Sequence, residues 1–305
     1  GVYVMAAVFW LASALVLYVV ISVLIDQLFN PIRLMTAKLK EVERMRFGKP
    51  LTLQTRDEEF REYAAAFNEM SEKLNRHIES QRRFISDAAH ELVTPVTIIN
   101  GHADLLLRHH GDKPEMLEDE LALIKSEALR MDGLIESLLL LARSDAGKQA
   151  YRFEPVSARQ LICGAVSEAE MLAPGFVFKT ELEGDFKIRC DENAIKRVLR
   201  ILLSNAVKYS AEKEPGTVTV GAYVSHGLAH ISVTDEGIGI APEHLPKIFE
   251  RFYRADDSRA KKTGGSGLGL AIAQELIAAH GGEIHAESTV GEGTKMKVVL
   301  PATGN

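Results

Sequence analysis

Cysteine is almost missing from this 305-residue chain: only Cys163 and Cys190 occur, far apart, which excludes a disulfide framework and the paired spacing of a zinc site. A reducing cytoplasm suits such a composition. Basic residues are not in excess either. With 36 Lys and Arg against 42 Asp and Glu the net charge is -6, so no positive field is available for wrapping nucleic acid. Charge of either sign is absent from Val2 to Ile25, where the polar groups are Tyr and Ser. As a helix those residues reach about 36 Å at 1.5 Å each, enough to cross a hydrocarbon core of about 30 Å. A cleaved signal peptide is shorter and starts with positive charge. Beyond Asp26 the chain gathers Arg33, Lys38, Lys40, Arg44, Arg46 and Lys49, and the positive-inside rule then puts everything downstream in the cytoplasm. A start at Gly1 rather than Met leads us to expect a fragment whose upstream part, with any extracytoplasmic sensor, is missing.

From Pro31 to Met70 two helical stretches are expected, split by the breaker Gly48-Lys49-Pro50 and ending in Phe67-Asn68-Glu69-Met70. This segment resembles a HAMP linker, the parallel helical relay between a span and an output domain, with Glu58-Glu59-Phe60-Arg61 where that family has Asp-Glu-x-Gly. Its competitor is a plain coiled-coil spacer. Next comes a heptad, Ile78, Ile85, Leu92, Ile99 and Leu106, with Ala89, Val96 and Ala103 alongside. After Gly111-Asp112-Lys113-Pro114 a second stripe follows: Leu117, Leu121, Ile124, Ala128, Met131, Ile135, Leu138 and Ala142. A lone hairpin leaves both stripes wet, whereas two hairpins paired as a four-helix bundle bury them, so a homodimer is expected. Beyond Gly147 the pattern turns to mixed α+β. Helices are expected over 157–172 and from Asp191, and strands over 218–224, 228–234, 283–288 and 295–300, in a mostly antiparallel sheet with helices on one face.

Inside the first heptad His90 lies two positions before Leu92, on the side turned away from the bundle, with Glu91 beside it and Thr94 one turn on. Pro95 removes a backbone hydrogen bond and predicts a kink. A lone exposed histidine is usually only a surface residue. The run Phe84-Ile85-Ser86-Asp87-Ala88-Ala89-His90-Glu91-Leu92-Val93-Thr94-Pro95, however, resembles the phosphoacceptor box of sensor histidine kinases, usually His-Glu-Leu-Arg/Lys-Thr-Pro. That resemblance implies attack of His90 on the γ-phosphate of ATP, Glu91 orienting the ring and accepting its other proton, and Thr94 placing the water that dephosphorylates a partner. Val93 departs from the family by removing a charge beside the acceptor.

On the helix opened by Asp191, Ile195, Val198, Leu199, Leu202 and Ala206 make the core face, and Asn205 and Lys208 sit on another. Asn205, Lys208 and Tyr209 resemble the family's N box, which implies Mg²⁺ on the Asn205 amide, phosphates at Lys208 and adenine against Tyr209. Ile201 stands where relatives often carry a second polar residue. Asp235-Glu236-Gly237-Ile238-Gly239-Ile240 follows a strand and resembles the adenine-reading G1 box, with Asp235 on the exocyclic amine and Gly237 and Gly239 permitting close approach. Ile248-Phe249-Glu250-Arg251-Phe252-Tyr253-Arg254 resembles the F box, in which Arg251 reaches the phosphates. Gly264 to Leu270, with Gly265, Ser266, Gly267, Leu268 and Gly269, opens a helix whose N-terminus suits phosphate. Thr294 closes the series in the turn Gly291-Glu292-Gly293-Thr294.

The resemblance spans nearly the whole chain and implies a multidomain fold: a transmembrane helix (1–26), a HAMP-like parallel helical linker (27–78), the hairpin of a dimeric antiparallel four-helix bundle carrying the phosphoacceptor (79–147), and an α+β GHKL-type ATP-binding sandwich (150–305) with a lid between Phe252 and Gly265. It implies a kinase that phosphorylates His90 from ATP with Mg²⁺ and passes the group to an aspartate of a response regulator receiver domain, which it also dephosphorylates. The expected setting is the bacterial inner or plasma membrane, with the lipid bilayer as a partner, nucleic acid excluded and the catalytic part cytoplasmic. Two competitors remain: a nucleotide-binding scaffold that transfers nothing, which Ile201 and Val93 favour, and a GHKL ATPase of the chaperone or DNA-repair kind, which has no use for His90 behind a membrane span.

Overall fold

A computed structural model describes residues 1–43, 58–108, 114–145, 150–210, 216–255 and 265–303, in two units, Gly1–Ile85 and Ser86–Asn305. The expected break at Gly48-Lys49-Pro50, the turn at Gly111-Asp112-Lys113 and most of the lid lie outside the described residues. In the first unit α1 (Val2–Glu43) holds an apolar stretch, Met5–Asp26, with a mean hydropathy of 2.7, long and apolar enough to cross a bilayer. The unit also holds the start of α2 (Glu58–Arg108), whose surface carries i,i+4 pairs, Lys73 with Glu69 and Arg76 with Glu72. This helix is unbroken through residue 78, and it continues through Pro95.

In the second unit the rest of α2 runs antiparallel to α3 (Pro114–Asp145), cross-linked by a contact between His102 Nδ1 and the Glu120 carboxylate. Leu134 and Leu141 are buried, but much of the predicted stripe stays open in the single chain: Val96 is 43% exposed and Leu121 50%. Amphipathic helices hide such a face only against a neighbour.

After α3 the chain forms β1 (Glu154–Ser157), α4 (Ala158–Leu172), β2 (Val177–Leu182), β3 (Lys187–Cys190), α5 (Glu192–Ser210), β4 (Thr217–Ser225), β5 (Leu228–Asp235), α6 (Gly269–Ala279), β6 (Glu283–Thr289) and β7 (Gly293–Thr303). Among the described residues seven strands make one sheet, in the order β1-β3-β7-β5-β4-β2, with β6 also pairing β7. All pairs are antiparallel except β2 with β4. Sequence alone missed β1, β2 and β3. Two of them are only four residues long, too short for a period of two to register, and β2 is a largely exposed edge with no alternation to find.

Strand alternation places Ala229, Ile231 and Val233 on one face of β5, opposite Leu300, Val298 and Met296 of β7, and all of them are buried. The buried stripe of α5, including Ile195, Val198, Leu199 and Leu202, covers that face. The Asp191 carboxylate fixes the start of α5 by accepting hydrogen bonds from the backbone N–H groups of Ala194 and Arg152, both at 3.0 Å. His280, at the end of α6, takes the Asp191 N–H on Nε2 at 3.0 Å and donates from Nδ1 to the Leu276 carbonyl, so the neutral Nδ1–H tautomer fits. Burial raises the Asp191 pKa, but the backbone N–H donors outweigh it and hold the carboxyl below its usual range.

Two outcomes are expected in denaturant unfolding of the full chain in detergent. Leu199→Ala, at a fully buried site, should cost about 2–5 kcal/mol. Asp191→Ala should cost about 1 kcal/mol at neutral pH. Because its folded pKa is depressed, the Asp191 contribution is complete above the ordinary carboxylate pKa and fades as pH falls through the lower, folded value.

Candidate functional site

The C-terminal end of α5 sits against the end of β5. Asp235 continues the buried row of β5, so its carboxylate arrives at the sheet end on the helix-facing side, 8% exposed. There Oδ1 accepts from the N–H groups of Gly237 at 2.8 Å and Thr294 at 3.2 Å, which aims the carboxylate. The strand's exit passes under α5: the Ile238 N–H donates to the Tyr209 carbonyl at 3.2 Å, and a Cβ on Gly237 would lie 2.5 Å from that oxygen. Gly239 has φ +69°, and a Cβ there would lie 2.7 Å from the Thr289 carbonyl carbon. Thr294 also bonds Ser288 through its hydroxyl, at 2.9 Å.

These elements enclose a cavity of about 620 Å³ lined by Asn205, Lys208, Tyr209, Asp235, Gly237, Gly239 and Thr294, with Leu202, Val233, Ile238, Ile240, Ile248 and Met296 as its apolar wall. A mostly apolar chamber with one aimed carboxylate suits a flat heteroaromatic ring bearing an amino group. A second cavity, of about 340 Å³, shares Asn205, Lys208, Tyr209, Tyr253 and Arg254 with the first and adds Ile201, Gly265, Ser266, Gly267 and Gly269 at the start of α6.

This second chamber has the chemistry of a phosphate site. Burial, and then the charge of Arg254, lower the pKa of Lys208, a conflict that an anion between the two cations would reverse. Arg254 Nη2 is buried without a hydrogen-bond partner among the described residues, which leaves room for an acceptor there. Gly265, with φ +128°, lies against the Lys208 side chain, a Cβ there falling 2.7 Å from Nζ. Gly267 has φ +70° and its carbonyl accepts from the Phe252 N–H at 3.0 Å.

Two predicted members stand elsewhere. Arg251 lines neither cavity and holds Asp145 of α3 in a two-pronged pair, at 2.8 and 2.6 Å. Leu268 is 0% exposed, its side chain turned into the core. Sequence reasoning, conversely, gives no role to Arg254, although it closes the F-box run three residues after Arg251.

His90 is exposed on α2, and Thr94, also exposed, donates from its hydroxyl to the His90 carbonyl at 3.3 Å. That carbonyl would otherwise serve the N–H of residue 94 alone; the carbonyl that Pro95 deprives of a donor is the one at Glu91. A third cavity, of about 210 Å³, lies between Glu91 and Pro95 of α2, Arg130, Met131, Gly133 and Leu134 of α3, and Gly265 and Ser266. The glycine segment thus walls both the phosphate chamber and the space beside the histidine's neighbour. Two substitutions test the chamber: Asp235→Asn and Gly239→Ala should each weaken binding of a fluorescent adenine nucleotide by about 1–3 kcal/mol, read as a rise in Kd.

Comparison with known proteins agrees with this geometry. Residues 190–304 match the family model described as histidine kinase-, DNA gyrase B-, and HSP90-like ATPase, which implies ATP binding, and residues 80–147 match the His Kinase A (phospho-acceptor) domain. The chain is 39% identical over 277 residues to the sensor histidine kinase YkoH of Bacillus subtilis, covering 90% of this chain and 59% of that protein. It is 33% identical over 302 residues to the signal transduction histidine-protein kinase ArlS of Staphylococcus epidermidis, covering 99% of this chain and 66% of the relative. The chain therefore spans about three-fifths to two-thirds of these relatives. The solved structure of histidine kinase ThkA in complex with response regulator TrrA shares the fold, with TM-score 0.59 and 24% identity over 82% of this chain and 68% of that one. With both domains in order on one chain, and relatives of this kind along nearly its whole length, the protein belongs to the sensor histidine kinase family.

Proposed function

We propose that this chain phosphorylates its own His90 from ATP and passes the phosphoryl group to an aspartate of a response regulator. The observation that carries this reading is the shared wall: Gly265 and Ser266 line both the chamber with Lys208 and Arg254 and the cavity with Glu91. In the reaction the lone pair of an unprotonated ring nitrogen of His90 forms the N–P bond. The bond from the γ-phosphorus to the bridging oxygen breaks, and ADP leaves with that electron pair. Glu91 accepts the proton from the other ring nitrogen, so the phosphorylated ring stays neutral.

Asp235 reads the adenine amine, Tyr209 packs on the ring, and Gly237, Gly239 and Thr294 shape the floor beneath it. Lys208, Arg254 and the N–H groups of the glycine segment, Gly265 to Gly269, hold the phosphates. Mg²⁺ fits this chamber: it takes few protein oxygens when phosphates and water supply the others, and the half-buried Asn205 amide lines both cavities while Ile201 adds no ligand. Held by Asn205, the ion would neutralise phosphate charge. Thr94 serves the reverse function, placing water against a phosphorylated regulator.

The open stripes of α2 and α3 support a homodimeric bundle, and the apolar stretch Met5–Asp26 supports a membrane anchor, with the bundle and nucleotide domain in the cytoplasm of a bacterium. The domain borders 1–26, 27–78, 79–147 and 150–305 belong to the same proposal. A response regulator as partner follows from the family; ThkA, alike in fold, is solved with one.

The test is incubation of the full chain in detergent with Mg²⁺ and γ-labelled ATP. Acid-labile, base-stable label is expected on wild type, and none on His90→Gln or Asn205→Ala. Nucleotide binding without label in wild type would replace the kinase with a scaffold.

A further inference from the structure

The cavity of about 210 Å³ beside Glu91 holds a charged group that the kinase reading does not use. Any phosphoryl group moving from the Lys208 and Arg254 chamber toward His90 carries negative charge past Gly265 and Ser266. On α2 it meets the Glu91 carboxylate, which repels it. Val93, one turn beyond His90 and 62% exposed, brings no compensating charge. The cation lining this cavity is Arg130, on α3.

Arg130 is set for such a task. Its Nε and Nη2 both donate to Glu127 Oε1, at 3.0 and 2.6 Å, which fixes one edge of the guanidinium. Its Nη1 has no hydrogen-bond partner among the described residues. Glu127 is largely buried while Arg130 is nearly half exposed, so the pair anchors the arginine from behind without covering it. Helix register puts it at the right height: His102 faces Glu120 across the antiparallel hairpin, and counting back along α2 and forward along α3 brings Glu91 opposite Arg130 and Met131.

We infer that Arg130 contacts the phosphoryl group during its transfer to His90, supplying from α3 the positive charge that Val93 withholds on α2. This rests on the kinase reading. The bonds made and broken are those already given, with the His90 nitrogen joined to phosphorus, ADP leaving with the electron pair and the proton on Glu91. Arg130 forms no covalent bond and gives up no proton. Its guanidinium donates hydrogen bonds to the equatorial oxygens as charge spreads over them.

The experiment measures the rate of His90 labelling against ATP concentration for the full chain in detergent, as wild type, Arg130→Gln and Arg130→Lys, together with the affinity for a fluorescent ATP analogue and the thermal midpoint. Arg130→Gln is expected to lower the maximal rate about 100-fold, with nucleotide affinity and midpoint unchanged. Arg130→Lys should recover part of the rate, since it restores the charge without the fork. A labelled wild type with Arg130→Gln equally fast would overturn the assignment and leave the kinase standing. A fall in rate matched by a fall in midpoint, or an Arg130→Lys variant as slow as Arg130→Gln, would also overturn it, by making the residue structural or its charge irrelevant. An unlabelled wild type would bring down the kinase reading itself.

Discussion

Close backbone approach between the end of α5 and the exit from β5 is the constraint on which the site depends. The Tyr209 carbonyl receives the Ile238 N–H, and only a residue without a Cβ fits at Gly237, between that carbonyl and the Asp235 carboxylate. The contact sets Asn205, Lys208 and Tyr209 at one side of a chamber and Asp235 at the other. Its far ends are held by different means. Asp191 caps α5 and is itself fixed by His280 from the end of α6, so the helix carrying Asn205 and the helix opened by the glycine segment are tied at their distal ends.

A second tie joins the nucleotide domain to the hairpin. Arg251 grips Asp145 at the end of α3, Ser144 bonds Glu275 of α6, and Arg197 of α5 donates to Ser137 at 3.2 Å. These contacts accompany the arrangement in which Gly265 and Ser266 face Glu91 and Arg130. They are polar and partly exposed, and exposed ion pairs are individually weak.

The sequence spoke clearly wherever chemistry imposes a local string. The run around His90, the spacing of Asn205, Lys208 and Tyr209, and the glycines after Asp235 were legible because each needs particular residues within a few positions, and the last two of these groups converge on one chamber. Alternation likewise marked β4 and β5, whose inward faces are apolar. Four-residue strands such as β1 and β3 carry too little pattern to find. Choosing between Arg251 and Arg254 required the direction of each side chain: one turns to Asp145, three-dimensional information absent from the string, and the other into the cavity. Leu268 lies within the glycine segment while its side chain is buried in the core, another direction the string does not carry. Ile201, read as a lost polar contact, lies against Gly269, where a Cβ would fall 3.3 Å from Ile201 Cγ2.

The central claim is that one chain carries both the nucleotide chamber and the atom that attacks ATP. The most direct test is phosphorus NMR on the full chain labelled with nitrogen-15 in histidine, after incubation with Mg²⁺ and ATP and removal of nucleotide. The account expects a phosphorus resonance coupled to a histidine ring nitrogen and lost in a chain without His90. A phosphorus signal without that coupling, or one that survives replacement of His90, would contradict it.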